Sequence, residues 1–108
     1  MLDYSFDRTD STLVLDIRGT LDATTAPDLE EALKGRLDGV RELIVDLDGL
    51  ASVSSMGLRL LLSLMKRMSK QGTMVVRHVN GDVMELFDDS GFSQILTIEP
   101  DDRPAGER

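Results

Sequence analysis

A chain of 108 residues with a formal net charge of −8 and 41% hydrophobic residues has the size of one domain and the material for a single core. It contains no cysteine, which excludes a disulfide framework, thiol catalysis and a cysteine zinc site. The acidic balance speaks against a general nucleic-acid or anionic-membrane binder, and Tyr4, Phe6, Phe87 and Phe92 are too few aromatics for a base-stacking platform. No leader pattern opens the chain and no apolar run nears membrane-span length, so the expectation is a cytoplasmic protein without membrane insertion.

Taken in order, Leu2 to Phe6 places Leu2, Tyr4 and Phe6 on one face, and Thr12 to Arg18 alternates Leu13, Leu15 and Ile17 against Val14, Asp16 and Arg18. With the turn residues Thr9-Asp10-Ser11 between them, the two strands read as an antiparallel hairpin whose first strand lies at an edge. Gly19-Thr20-Leu21-Asp22 closes the second strand. Thr25-Ala26-Pro27-Asp28 then opens a helix, with Thr25 as its expected cap and Asp28 as a weak capping box. Its apolar stripe is Ala26, Leu29, Ala32, Leu33 and Leu37, and Asp38-Gly39 is its expected end.

Leu43-Ile44-Val45-Asp46-Leu47 reads as a short buried strand that ends at an Asp48-Gly49 turn. From Met56 the apolar period becomes helical through Leu60, Leu61, Leu64, Met65 and Met68, beside a polar stripe of Arg59, Ser63, Lys66, Arg67 and Lys70. Leu58 and Leu62 border that stripe, where one of them could face a partner. Ser54 and Ser55 thus stand where a strand hands over to a helix. A hydroxyl there can cap orphan amides, and the helix dipole favours an anion.

Gln71-Gly72 stops this helix and Met74 to Val79 makes another strand. Asn80 caps a short helix with Val83, Leu86 and Phe87 on one face, ended by Ser90-Gly91-Phe92, and Ile95 to Ile98 reads as a last strand. The expected core includes Leu15, Ile44, Val45, Leu47, Leu61, Leu64 and Phe87, and the methionines Met56, Met65, Met68, Met74 and Met84 read mostly as core filler. One domain therefore spans 1–99, and the polar, aperiodic segment 100–108 reads as a disordered tail.

The order ββαβαβαβ defines an α/β fold: a mostly parallel sheet with an antiparallel first edge strand and helices packed on it. Sites in such sheets lie beyond the carboxyl ends of the strands. The segments 19–25, 48–56 and 78–82 should therefore meet, bringing Asp22 near Ser54 and Ser55. Asp46 and Asp48 have no third ligand in a suitable frame for a metal, and His78, the one histidine, has no triad spacing and reads as a polar strand-end residue. No Gly-rich phosphate loop and no convincing acid/base pair appear, so no catalytic residue, metal or cofactor is expected.

These residues resemble the STAS domain, the fold of bacterial anti-sigma-factor antagonists. Gly19-Thr20-Leu21-Asp22 is similar to the family's Gly-x-Leu-Asp, and Ile44-Val45-Asp46-Leu47 to its central strand. Ser54-Ser55-Met56-Gly57-Leu58 occupies the place of its Asp-Ser-Ser/Thr-Gly-Leu motif. Ser54 stands where the family has the aspartate, and Met56 where it has the second hydroxyl. The resemblance implies a non-enzymatic, partner-switching module in transcription regulation. It would bind an anti-sigma factor that is also a serine kinase, and a cognate phosphatase would reset it. Ser55 is the implied phosphorylation site, with Ser54 as the other candidate. The implied partner surface is Asp22, Thr24, Ser54, Ser55, Met56, Gly57, Leu58, Arg59 and Leu62. The alternative is a constitutive, non-phosphorylated STAS subunit of a transport or sensory complex.

Overall fold

The computed structural model describes residues 2–99. Strand β1 (Leu2–Thr9) pairs antiparallel with β2 (Thr12–Leu21) through a two-residue link in which Asp10 has φ +54°, a conformation that aspartate tolerates better than most residues. After helix α1 (Ala26–Leu33), strand β3 (Glu42–Val53) lies parallel to β2. After α2 (Ser55–Met68), strand β4 (Thr73–Arg77) lies parallel to β3. Helix α3 (Gly81–Ser90) and a 3-10 turn (Phe92–Gln94) follow.

The strand order is β1-β2-β3-β4, so each crossover steps the same way across the sheet. Right-handed crossovers that all step one way place their helices on one face. Burial follows that rule. Leu13, Leu15, Ile17, Leu43, Val45, Leu47, Met74 and Val76 are buried with Leu61, Leu64, Met68, Val83 and Phe87 from the helices. The opposite face shows half-buried Val14, Asp16, Arg18, Ile44, Val75 and Arg77. Ile44, expected in the core, belongs to this second face, because alternation along β3 turns it away from Leu43 and Val45.

Three local expectations are corrected. Helix α1 ends at Leu33 rather than near Asp38: Lys34 is extended and Gly35 takes φ +80°, so Leu37 reaches the core from a turn. The Gln71 side chain then fixes that turn by donating to the Leu37 and Val40 carbonyls at 2.6 and 2.7 Å. Asp48-Gly49 is not a turn but a bulge within a longer β3. Asp16 pairs with Asp46 while Arg18 pairs with Gly49, so two residues of β3 oppose Ile17. A Cβ at Gly49 would lie 2.4 Å from Arg18 Cγ, so only glycine lets that side chain cross the strand. The strand expected over Ile95 to Ile98 reduces to one bridge, Ile98 beside Val76, because the chain after Gly91 first winds through the 3-10 turn. The segment 100–108 lies outside the described residues.

Candidate functional site

The carboxyl edge of the sheet brings the three expected loops together. The Ser54 amide donates to the Leu21 carbonyl at 2.9 Å, joining the ends of β2 and β3, and the Asn80 side chain donates to the Leu50 carbonyl at 2.6 Å. Asn80 also accepts from the Val83 amide at 2.9 Å, so one side chain caps α3 and ties it to β3.

Asp22 organises the β2–α1 loop. Its Oδ1 accepts from the Thr24 and Thr25 amides at 2.9 and 3.1 Å. These amides, Thr25's first, hold the carboxyl below the usual aspartate range. Thr25 does not cap α1 as expected. Its hydroxyl donates to the Thr20 carbonyl and accepts from the Asp22 amide, both at 2.9 Å, so it closes the loop instead. Thr24 is exposed at the loop tip.

Ser54 is extended (φ −95°, ψ 176°) at the N-cap of α2, yet its side chain makes no capping bond. Its Oγ is buried and has no hydrogen-bond partner among the described residues. Ser55 is exposed in the first helical turn. The start of α2 therefore offers backbone amides that no side chain caps, at an exposed serine. Met56 next to it is 42% exposed, not core filler as its spacing suggested.

Gly57 is buried because α2 presses on the end of β2. A Cβ there would lie 2.6 Å from Val53 Cγ2 and 2.7 Å from the Leu21 carbonyl oxygen. Gly57→Ala is expected to cost about 1–3 kcal/mol by overpacking, although alanine is the better helix former. Chemical denaturation checks this, and a gain in stability would show that α2 shifts freely away from Leu21. Arg59 is exposed and Leu62 half-buried, both lining a groove between α1 and α2. Leu58, like Gly57, is buried, at 8% exposure, so of Leu58 and Leu62 it is Leu62 that stands nearer the surface.

Sequence reasoning missed a cluster at the end of β4. Asp46, the one buried charged residue among those described, accepts from Arg77 Nε at 3.2 Å and from the Asp48 amide at 3.0 Å. His78 Nδ1 lies 3.1 Å from both of its oxygens, and His78 takes φ +57° to reach it. Spacing gave no sign of this, because the partners are 31 and 32 residues apart. Burial opposes the charge on Asp46, but the Asp48 amide, His78 and Arg77 outweigh it and hold the carboxyl below its ordinary range. A lowered folded-state pKa stabilises above the unfolded value, and that contribution disappears as pH falls through the folded one. Asp46→Asn is thus expected to cost about 1–3 kcal/mol at pH 7, with the gap to wild type closing below about pH 4. Stability curves against pH test this; a gap that stays constant down to pH 2 would show that the charge contributes nothing.

A one-sided, mostly parallel sheet with an uncapped serine helix start on its carboxyl edge defines a small α/β module of the STAS type. The chain belongs to the STAS domain family, whose model matches residues 4–104. It is 32% identical over 96 residues to BtrV of Bordetella bronchiseptica, named for anti-sigma factor antagonism, covering 87% of this chain and 83% of that one. In structure it is similar to an anti-sigma factor antagonist from Mycobacterium paratuberculosis, with a TM-score of 0.83 and 22% identity over 94% of this chain and 87% of that one. It is also similar to the Bacillus cell fate determinant SpoIIAA in its phosphorylated form, with a TM-score of 0.69 and 17% identity over 92% and 93% of the two chains. Among the described residues no helix is long and apolar enough to cross a membrane, and no group of three His, Cys, Asp or Glu could hold a metal.

Proposed function

We propose that this chain is an anti-sigma factor antagonist: a non-catalytic, cytoplasmic partner-switching protein controlled by phosphorylation of Ser55. The observation that carries the reading is the exposed Ser55 in the uncapped first turn of α2, one residue after the Ser54 amide that bonds the Leu21 carbonyl beside Asp22. The names of BtrV and of the Mycobacterium structure support the antagonist role. Asp22, Thr24, Ser54, Ser55, Met56, Arg59 and Leu62 form the docking edge, while Gly57 and Leu58 shape it from beneath. Binding sequesters an anti-sigma factor that is also a serine kinase and frees a sigma factor. Phosphate on Ser55 adds roughly −1.5 to −2 charge, which the helix start accepts and a docked partner does not. A cognate phosphatase reverses it.

The test is incubation with a serine-kinase anti-sigma factor encoded nearby and ATP, followed by mass spectrometry. Phosphate is expected on Ser55, more slowly in wild type than in Ser54→Asp or Met56→Ser, which restore the family's carboxylate and second hydroxyl. A second reading, a constitutive STAS subunit of a transport or sensory complex, is favoured by Ser54 and Met56 themselves, which lack those groups. A complex that forms, persists in ATP and carries no phosphate on either serine would establish that second reading.

A further inference from the structure

The charge of this acidic chain is segregated. None of its twenty Asp and Glu residues, but five of its twelve Lys and Arg residues, lie between Gly49 and Gly81. Four of those five, Arg59, Lys66, Arg67 and Lys70, fall on α2 or just past its end, all exposed. Arg67 reaches Asp38 at 3.6 Å; Arg59, Lys66 and Lys70 have no ion-pair partner among the described residues.

Two of these three bases, Arg59 and Lys66, border a concavity. Between α1 and α2 runs a groove of about 490 Å³ whose lining includes Ala26, Met56, Leu60 and Leu62, with Arg59 and Lys66 on the α2 side. It continues along the same helices past Leu33, Ser63, Leu64 and Arg67, with Glu30 at both parts. Its lining on α2 runs from Met56 to Arg67, about 17 Å at 1.5 Å per residue, so the groove matches about three turns of a guest helix.

We infer that the α1–α2 groove is a docking site for an acidic amphipathic helix of a partner protein, with apolar residues on Met56, Leu60 and Leu62 and carboxylates against Arg59 and Lys66. An apolar floor between a basic α2 rim and an acidic α1 rim suits helix-in-groove recognition, and the unpaired bases orient the guest so that its carboxylates lie on the α2 side, away from Glu30. A flat anionic membrane fits less well, because Glu30 lines the groove and Asp28 and Glu31 are exposed on the same helix. A second copy also fits less well. Helix α3 is acidic, with Asp82, Glu85, Asp88 and Asp89 exposed, but Leu86 is the only large apolar side chain it exposes. Such a contact would also be heterologous, pairing two different surfaces rather than one self-complementary patch.

The inference rests on the reading of this chain as a partner-binding module, and its test does not involve Ser55. The probes are a helical 16-residue peptide with leucines at i, i+3, i+4 and i+7 spacing flanked by glutamates (about four turns), its lysine-flanked twin, and phosphatidylglycerol vesicles. Amide chemical shifts of the intact chain are followed. The glutamate peptide is expected to move amides around Glu30, Met56 and Ser63. Arg59→Glu with Lys66→Glu should weaken it by about tenfold or more, and Ser63→Trp, which fills the groove at an exposed position, should block it. Equal binding of the two peptides, shifts with vesicles alone, self-association through α3, or no shift with any probe would each overturn the inference. If Ser55 is phosphorylated while neither peptide moves the groove amides, the groove inference fails while the antagonist reading stands.

Discussion

Phe87→Ala is expected to remove about 3–5 kcal/mol of stability. Phe87 is fully buried and among the largest side chains in the core. Helix α3 has only one other buried residue, Val83, and its remaining surface is largely acidic and exposed. Removing the ring therefore empties a cavity and also takes away most of what holds α3 to β3. A domain of this size has about 5–15 kcal/mol in total, so the variant loses a large fraction and its melting temperature should fall on the order of 15–30 °C. Leu86→Ala, one residue earlier and 40% exposed, should lie within about 0.5 kcal/mol of wild type. Thermal unfolding followed by circular dichroism makes the comparison. A Phe87→Ala melt within 3 °C of wild type would show that α3 is not anchored by this ring.

Ser55→Asp is expected to weaken binding to the kinase-like partner about a thousandfold, roughly 4 kcal/mol, while leaving the fold intact. The two effects separate because of where Ser55 stands. It is exposed in the first turn of α2, where a carboxylate interacts favourably with the helix dipole, so unfolding should be unchanged or slightly harder. In the complex the same charge would be desolvated at the centre of the docking edge with no cation from the partner to match it. Ser55→Ala should bind like wild type and resist release by ATP, and Ser54→Ala should alter release less. Calorimetric titration measures the affinities. Equal affinity for wild type and Ser55→Asp would remove Ser55 from the interface.

How much of this was legible before folding can be argued from particular residues. The alternation of Leu13, Leu15 and Ile17 and the helical period from Met56 to Met68 specify strand, helix and inward face, since each repeat matches the geometry of one element. The edge position of β1 and the approach of Asp22 to the serines followed from strand order and crossover handedness. The family resemblance was carried by spacing between motifs, which the chain itself displays.

Contacts between distant segments escaped. Asp48-Gly49 carries turn chemistry, but Gly49 takes no positive φ; it lies in a bulge where the Arg18 side chain crossing from β2 leaves no room for a Cβ. Thr25 and Ser54 both look like caps. In the folded chain Thr25 spends its hydroxyl on the Thr20 carbonyl, and Ser54 leaves its own without a partner among the described residues. His78 gave no signal, because its role depends on Asp46, 32 residues away in sequence. The sequence by itself determined the inward alternation of β2, most of the inward stripe of α2 and the order of the elements through α3, because periodicity and turn chemistry are local. Tertiary structure alone decided that all three helices share one face, that Leu58 is core while Met56 is surface, and that Asp46 is clamped by Arg77 and His78. Those outcomes depend on which segments compete for the same space and the same hydrogen bonds.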